Sequence, residues 1–477
     1  MTDFRAGENR YQSTLFPERL EDFVSEDNAV RVIDVFIDEL DLSGLGFQAE
    51  PSDLGSPAYH PGALLKIYIY GYLNRIHSSR RLEGEAYRNV ELMWLIERLT
   101  PSYKTISDFR KGHGEAIRLV SREFVLLCRK LDLFTEAFVA IDGSKFKAVN
   151  NRDRNLTKAK LKRRIEQIDE SIERYLTEMV STDRQETAVS EKKSQRLQDK
   201  IETLKGEVKR LKKLGVRMFE APDRQISETD PDARSMATSG RGTGMVGYNV
   251  QAVVETGHHL IVAHEVTDQG HDRRQLSNMA SQAQEAMGTQ DLEVVADRGY
   301  YNGDELNACE QAGITTYLPR PRTSNNQAKG QFGKQDFIYK AQDDEYECPA
   351  GKRLIYRTTT EEAGKTIHRY WSSACSQCSI KSQCTTGVQR RVSRYAHEAV
   401  LDAIQDRLDR EPERMRVRRE TVEHPFGTIK TWMGSGHFLT RTLKHVSTEM
   451  SLHVLAYNMK RVMNIMGPEA LMAAIRA

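Results

Sequence analysis

Two short apolar runs, each ending on an aspartate, constrain this chain more than any other feature. Phe138-Val139-Ala140-Ile141 leads into Asp142, and Leu292-Glu293-Val294-Val295-Ala296 leads into Asp297. Apolar runs of this length, followed by Gly143 in one case and Arg298-Gly299 in the other, read as buried strands. A fold built around two such strands places a carboxylate at the end of each. In sheets covered by helices, sites form at strand ends. A third acidic residue, Glu423, lies in a basic, helix-like stretch, Arg416-Val417-Arg418-Arg419-Glu420-Thr421-Val422-Glu423.

Each of these residues has a plainer use. Asp142 before Gly143 suits a turn. Asp297 suits a helix cap, and Glu423 suits a surface ion pair with Arg416 or Arg419. Together they suggest more. Two carboxylates at adjacent strand ends and a third from a nearby helix can hold two hard divalent cations, Mg²⁺ or Mn²⁺, and leave room for water and phosphate. A metal pair of this kind cleaves and transfers phosphodiesters. On an ideal helix, positions 416, 419, 423 and 430 fall within an arc of about 60°, so Glu423 would share a face with Arg416, Arg419 and Lys430. Pro425 disfavours helical geometry at His424 and predicts a kink just after Glu423.

The composition allows several domains. The chain has 477 residues, 39% of them hydrophobic, and 29% charged residues that balance to a net charge of only +2. The total therefore names no partner, and local clusters must. No 18-residue apolar run is present and the first residues lack a signal-peptide pattern, so the expectation is a soluble, cytoplasmic protein without a membrane span.

Residues 1–132 read as helical. Ser25 or Asp27 caps a helix through Val30, Ile33 and Phe36, and Pro61 opens a second. Thr105-Ile106-Ser107-Asp108 opens a long third. Arg80 and Arg81, in Arg75-Ile76-His77-Ser78-Ser79-Arg80-Arg81, suit phosphate contact or a solvated helix end. After the first strand comes a charged segment in which Leu197, Ile201, Leu204, Val208 and Leu211 form a heptad seam. With Ile165, Ile168, Ile172, Tyr175 and Met179 before it, the segment reads as a helical hairpin. Its expected role is structural or dimerising, with DNA gripping as a lesser alternative. A Gly-rich link, Gly240 to Gly247, leads into a strand and so is no nucleotide loop. A hairpin follows (248–254 and 260–266), then a helix capped by Asp272, the strand into Asp297, another helix, and the strand Ile314–Leu318.

This order matches an α/β (α+β mixed-sheet) fold with a ribonuclease H-like core. The expected layout is an N-terminal helical DNA-binding domain (1–132), the first part of the core (133–156), the hairpin insertion (157–216), the second part of the core (237–320), a Cys-rich insertion (321–395) and the Glu-bearing third part (396–465). The Cys-rich insertion reads as polar and irregular. Within it, Cys348, Cys375, Cys378 and Cys384 include one Cys-x₂-Cys spacing, which suits a structural zinc; redox-active or free thiols are the alternatives. Cys128 and Cys309 read as core residues. His258, His259, His264 and His271 read as solvated or hydrogen-bonded histidines.

Three blocks resemble bacterial insertion-sequence transposases of the DDE superfamily. They are Ile141-Asp142-Gly143-Ser144-Lys145, Ala296-Asp297-Arg298-Gly299-Tyr300 and Arg419-Glu420-Thr421-Val422-Glu423-His424-Pro425-Phe426-Gly427-Thr428-Ile429-Lys430. Arg419, Glu423 and Lys430 fit the family's Arg, Glu and Lys spacing, while Arg416 stands where many relatives have Tyr. Phe16-Pro17-Glu18-Arg19-Leu20 and Thr105-Ile106-Ser107-Asp108-Phe109-Arg110 are similar to the family's N-terminal region, and the cysteine cluster to one subgroup. The resemblance implies DNA cleavage at terminal inverted repeats and strand transfer into target DNA. It implies Asp142, Asp297 and Glu423 as ligands of two metal ions, and a homodimer on the DNA. Lys145, Arg298, Arg416, Arg419 and Lys430 are candidates for phosphate contact, with Arg80 and Arg81 beside them. A catalytically silent DNA-binding descendant and a ribonuclease H-like nuclease without strand transfer are the alternatives.

Overall fold

The computed structural model describes residues 19–47, 58–150, 154–183, 188–220, 224–237, 244–321, 326–362 and 364–477. The Phe16-Pro17-Glu18 part of the N-terminal motif, the first residues of the chain and the first half of the Gly-rich link lie outside them.

Among the described residues six α-helices come first: α1 (Ala29–Asp38), α2 (Pro61–Leu73), α3 (Ser79–Arg88), α4 (Val90–Leu95), α5 (Tyr103–Gly112) and α6 (Gly114–Lys130). Asn28, not Ser25 or Asp27, caps α1 through the Val30 amide, and Pro61 sits in the first turn of α2 as expected. The long third helix is two. Ser102 caps α5, three residues before Thr105, and the chain restarts at Gly114. A side chain at Gly114 would sit 2.6 Å from Thr448 Oγ1, so this restart lets α6 lie close against a C-terminal helix.

Three central strands follow in meander order: β1 (Phe138–Lys147), then, after an insertion, the two hairpin strands. The insertion holds β2 (Asn155–Thr157), α7 (Lys158–Asp183), α8 (Ala188–Glu220), β3 (Gln225–Ser227) and β4 (Arg234–Ala237). The chain then runs through β5 (Gly244–Glu255), β6 (Ile261–Thr267), α9 (Leu276–Met287), β7 (Glu293–Ala296), α10 (Gly303–Gln311) and β8 (Thr315–Tyr317). The main sheet runs β4-β5-β1-β7-β8, with β6 also on β5. β1 is antiparallel to β5 and parallel to β7, and β7 is parallel to β8. The parallel register ends at Ile141 opposite Ala296, so Asp142 and Asp297 follow side by side. β1 does not stop at Asp142, contrary to the sequence reading. It continues to Lys147 on β5 alone.

α7 and α8 pack against each other as a helical hairpin. Its heptad seam faces inward: Leu197, Ile201, Val208 and Leu211 are buried, and Leu211 packs with Leu161, Ile165 and Ile168 of α7. That seam is consumed within the chain and is not free for a partner. The turn residues 184–187 lie outside the described residues.

The Cys-rich region is more ordered than its polar sequence suggests. It forms a five-stranded antiparallel sheet of β9 (Ile338–Lys340), β10 (Glu345–Glu347), β11 (Arg353–Glu362), β12 (Lys365–Trp371) and β13 (Arg391–Tyr395). Its core is small: Phe337, Tyr346, Leu354, Tyr370 and Val392. Then come α11 (Glu398–Arg410), α12 (Arg414–Gly427), α13 (Leu443–Met466) and α14 (Pro468–Ile475). α12 packs on β1, β5 and β7. Pro425 is buried inside α12, which is not broken there. It widens into a π-helical turn, Thr428–Trp432, a common adjustment where the regular ladder loses a donor. α13 is buried along most of its length and packs on α2, α6 and β6. One apolar cluster therefore runs from Val24 through the N-terminal helices and the sheet to Leu471.

Candidate active site

Asp142 lies on β1 beside the end of β7, and Asp297 follows that end directly. Both aspartates face one cation. Arg418, from α12, places its guanidinium 2.9 Å from Asp142 Oδ1 and 3.8 Å from Asp297 Oδ2, with only 12% of its side chain exposed. The Arg418 Nε is buried without a partner. Asp142 also accepts from the Gly143 amide at 2.9 Å. Asp297 Oδ1 accepts from the Gly299 amide at 2.7 Å, so its role as a cap and its place at the site coexist. Burial pushes the Asp142 carboxyl up to about 6; Arg418 and the Gly143 amide pull the other way, and the Asp297 and Asp272 charges add to the rise.

A further carboxylate, missed by the sequence reading, completes this corner. Asp272 was expected to cap α9. Instead its Oδ1 accepts from Asn249 Nδ2 and Gln251 Nε2 of β5, each at 2.7 Å. Gln251 Oε1 in turn accepts from the buried Tyr300 hydroxyl. A Cβ on Gly143 would lie 2.6 Å from Asp272 Oδ1 and would also meet Gln251, so only glycine beside Asp142 admits this approach. Lys145 Nζ lies 3.6 Å from Asp272 Oδ1, buried and without a hydrogen bond. Burial lowers the Lys145 pKa. Lys430, in the π turn, donates to Ser144 Oγ at 2.6 Å and to the Lys145 carbonyl at 2.9 Å.

Glu423 is elsewhere on α12. It is exposed and makes no ion pair or hydrogen bond among the described residues. It lies about 140° around the helix from Arg418 at 100° per residue. The face that gathers Arg416, Arg419 and Glu423 is the exposed one, and Arg418 looks at the sheet. Among the described residues no group of three or more His, Cys, Asp or Glu side chains is placed to hold a metal ion. The two aspartates are brought together; the third carboxylate expected from the sequence is not drawn in beside them.

The transposase DDE domain matches residues 216–459, slightly more than half of the chain. The chain belongs to the DDE transposase family. A second transposase domain (DUF772) matches residues 18–112, over the N-terminal helices. No curated protein matches the chain. Among solved structures, a piggyBac transposase synaptic complex with hairpin DNA matches with 6% identity and a TM-score of 0.32, over 94% of this chain and 79% of that one. That likeness is too low to bear on the fold. The family assignment makes the chain a DNA transposase, an enzyme of metal-dependent strand cleavage and transfer.

The transposase's other candidate residues divide by exposure. Arg298, Arg419, Arg80 and Arg81 are exposed, and the Arg80 guanidinium lies over the Tyr103 ring at 5.2 Å. Arg416 pairs loosely with Glu420 at 3.6 Å, both well exposed. Of these candidates, Lys145 and Lys430 join Arg418 in facing the site. Cys348, Cys375, Cys378 and Cys384, all free thiols, line one small cavity with Phe337 and Leu354. As they stand, no three of them are placed around a common metal position. His264 bonds Ser451 Oγ at 2.9 Å and His258 bonds the Leu133 carbonyl at 2.9 Å. Among the described residues no helix is long and apolar enough to cross a membrane.

Proposed function

We propose that this transposase cuts and joins DNA at the corner where β1, β7 and α12 meet, with Asp142 and Asp297 as the first metal-binding carboxylates. The observation that carries this is the convergence of both aspartates on one cation, the Arg418 guanidinium. Two hard oxygen donors already directed at a shared positive charge suit Mg²⁺ or Mn²⁺. The strand order β6-β5-β1-β7-β8, with three antiparallel strands followed by two parallel ones, supports a ribonuclease H-like core.

Bound there, divalent cations supply an activated water and charge stabilisation at the leaving oxygen. The chain's own residues do the rest. Asp142 and Asp297 fix the cation position against the sheet. Asp272 steadies Asn249 and Gln251 behind Gly143. Lys145, its buried ammonium 3.6 Å from Asp272 Oδ1, offers that charge to a non-bridging phosphate oxygen. Glu423 is the third ligand in this reading, and α12 must move to bring it from its exposed face to the two aspartates. Cleavage at a terminal inverted repeat frees a 3′-OH, which attacks target DNA at the same corner, and two ends held together call for a homodimer on the DNA. No covalent protein–DNA bond is needed.

Asp142→Ala should abolish cleavage of a duplex carrying the element end and leave binding to that duplex within about threefold in a filter or anisotropy assay. Cleavage at the normal rate would remove Asp142 from the active site. The four thiols support a second, separate reading, a structural zinc that closes the five-stranded module.

A further inference from the structure

The hairpin is sharply divided in charge along its length. From Lys158 to Arg164 it carries five basic residues and no acidic one, and from Lys205 to Arg217 six basic and one acidic. The outer stretch, 165–204, carries ten acidic residues and six basic. The base of the hairpin is therefore strongly positive and its outer part is not.

At the base the charges are also sorted by face. Arg210 and Arg164 are spent on Glu207, and Arg210 also on Glu228. Lys205, Lys209, Lys212 and Lys213 are all exposed, and none makes an ion pair among the described residues. On α8 they fall within an arc of about 100°. With Val208 and the exposed Val216 they line one shallow, open groove. An ordinary solvated helix face mixes both signs and pairs them along the surface; between Glu202 and Glu220, which lie on the same side of α8 at either end, this one carries a single sign. The inward seam of α8 is already filled by α7, so the lysine face is the side left for a partner.

The groove is tied to the catalytic strand. Five residues of β1 separate Asp142 from Lys147, about 17 Å of extended chain, and β2 and β3 then pair to form the root of the hairpin. Asn150 beyond β1 donates to Ser227 at the end of β3.

We propose that the base of the hairpin is a DNA-backbone surface, with Lys205, Lys209, Lys212 and Lys213 holding phosphates of the duplex that flanks the reacting end. The contact is to phosphate and carries no base information. It rests on the reading of the chain as a DNA transposase and assigns the grip to an element that the catalytic corner does not use.

The test is equilibrium binding of the full chain, without divalent metal, to a random-sequence duplex of about 40 base pairs over 50–300 mM KCl. Replacing Lys205, Lys209, Lys212 and Lys213 together by Gln should flatten the plot of log affinity against log salt by about 0.9 for each lysine on a phosphate, up to about 3.6 in all. The pair Lys192→Gln and Arg196→Gln, in the outer part, should leave the slope unchanged. Circular dichroism melts check that both variants fold, and single Lys→Gln variants replace the quadruple one if it does not. An unchanged slope in the folded base variants, or an equal drop in the outer variant, overturns the hairpin surface and leaves the catalytic reading intact. Failure of the unaltered protein to bind duplex at all overturns both.

Discussion

Arg418 is the residue on which the proposed catalytic corner turns. Its guanidinium answers two carboxylates that would otherwise repel each other at the junction of β1 and β7, and a divalent cation taking that place must displace it. Arg418→Gln should therefore tighten Mn²⁺ binding on the order of tenfold, about 1.4 kcal/mol, read from free Mn²⁺ by electron paramagnetic resonance. Weaker binding would mean that Arg418 positions the aspartates and does not compete with the metal. Asp142 makes a second prediction. Its carboxyl is raised to about 6, chiefly by burial, against roughly 3.9 in an unfolded chain. A raised carboxyl is protonated more readily in the folded protein, so its contribution is fully present below about pH 4 and is lost as pH rises through about 6, on the order of 3 kcal/mol. In metal-free protein, Asp142→Asn should remove that decline between pH 4 and 6, seen as the difference between the two thermal melting profiles. The aspartates were legible in the sequence because apolar runs with an acidic end are local signals. Arg418 and Asp272 were not. A basic helix gives no hint of which of its arginines faces the sheet, and Asp272 before an apolar-periodic helix looks like a cap until β5 is seen beside it.

At the scale of elements, the strongly periodic pieces were the readable ones. The meander, the helices α9 and α10 and the hairpin arms all follow from spacing alone. The cysteine module was not readable, because β11 is largely exposed, β12 is half-buried, and neither alternates apolar with polar residues. Their pairing is set by neighbours, not by an apolar face. A five-residue core is too small to hold such a module firmly, and small modules of this kind are closed by metals or cross-links. Zinc content near one per chain, lost in Cys375→Ser together with the near-ultraviolet signal of Tyr346 and Tyr370, is the expected result. A fully folded module free of metal would end the zinc reading. The Lys352 amide already donates to Cys348 Sγ at 3.4 Å.

For the whole molecule, the N-terminal helices and the main sheet share one apolar interior through α13. Val446, Met450, Val454 and Val462 are all buried in the cluster that also holds Phe36, Tyr68 and Phe124. The matched N-terminal domain is a unit of sequence, yet its inner surface is completed by residues more than 300 positions later. A fragment of residues 19–132 should retain helical circular dichroism but show no cooperative melt and poor dispersion of amide signals. A sharp, two-state transition for that fragment would show that it carries its own core. The sequence could not display this dependence, since the apolar faces of α2 and α6 look alike whether they meet each other or α13.

The π turn after Pro425 has a consequence of its own. One surplus residue in the coil, marked by the Met433 amide reaching back to the Thr428 carbonyl at 2.8 Å, resets the angular phase of everything downstream. That offset is what delivers the Lys430 ammonium onto Ser144. Deleting a single residue from Thr428–Trp432 would return the coil to its ordinary winding, swing the ammonium off β1, and leave the backbone just past Asp142 without its tether.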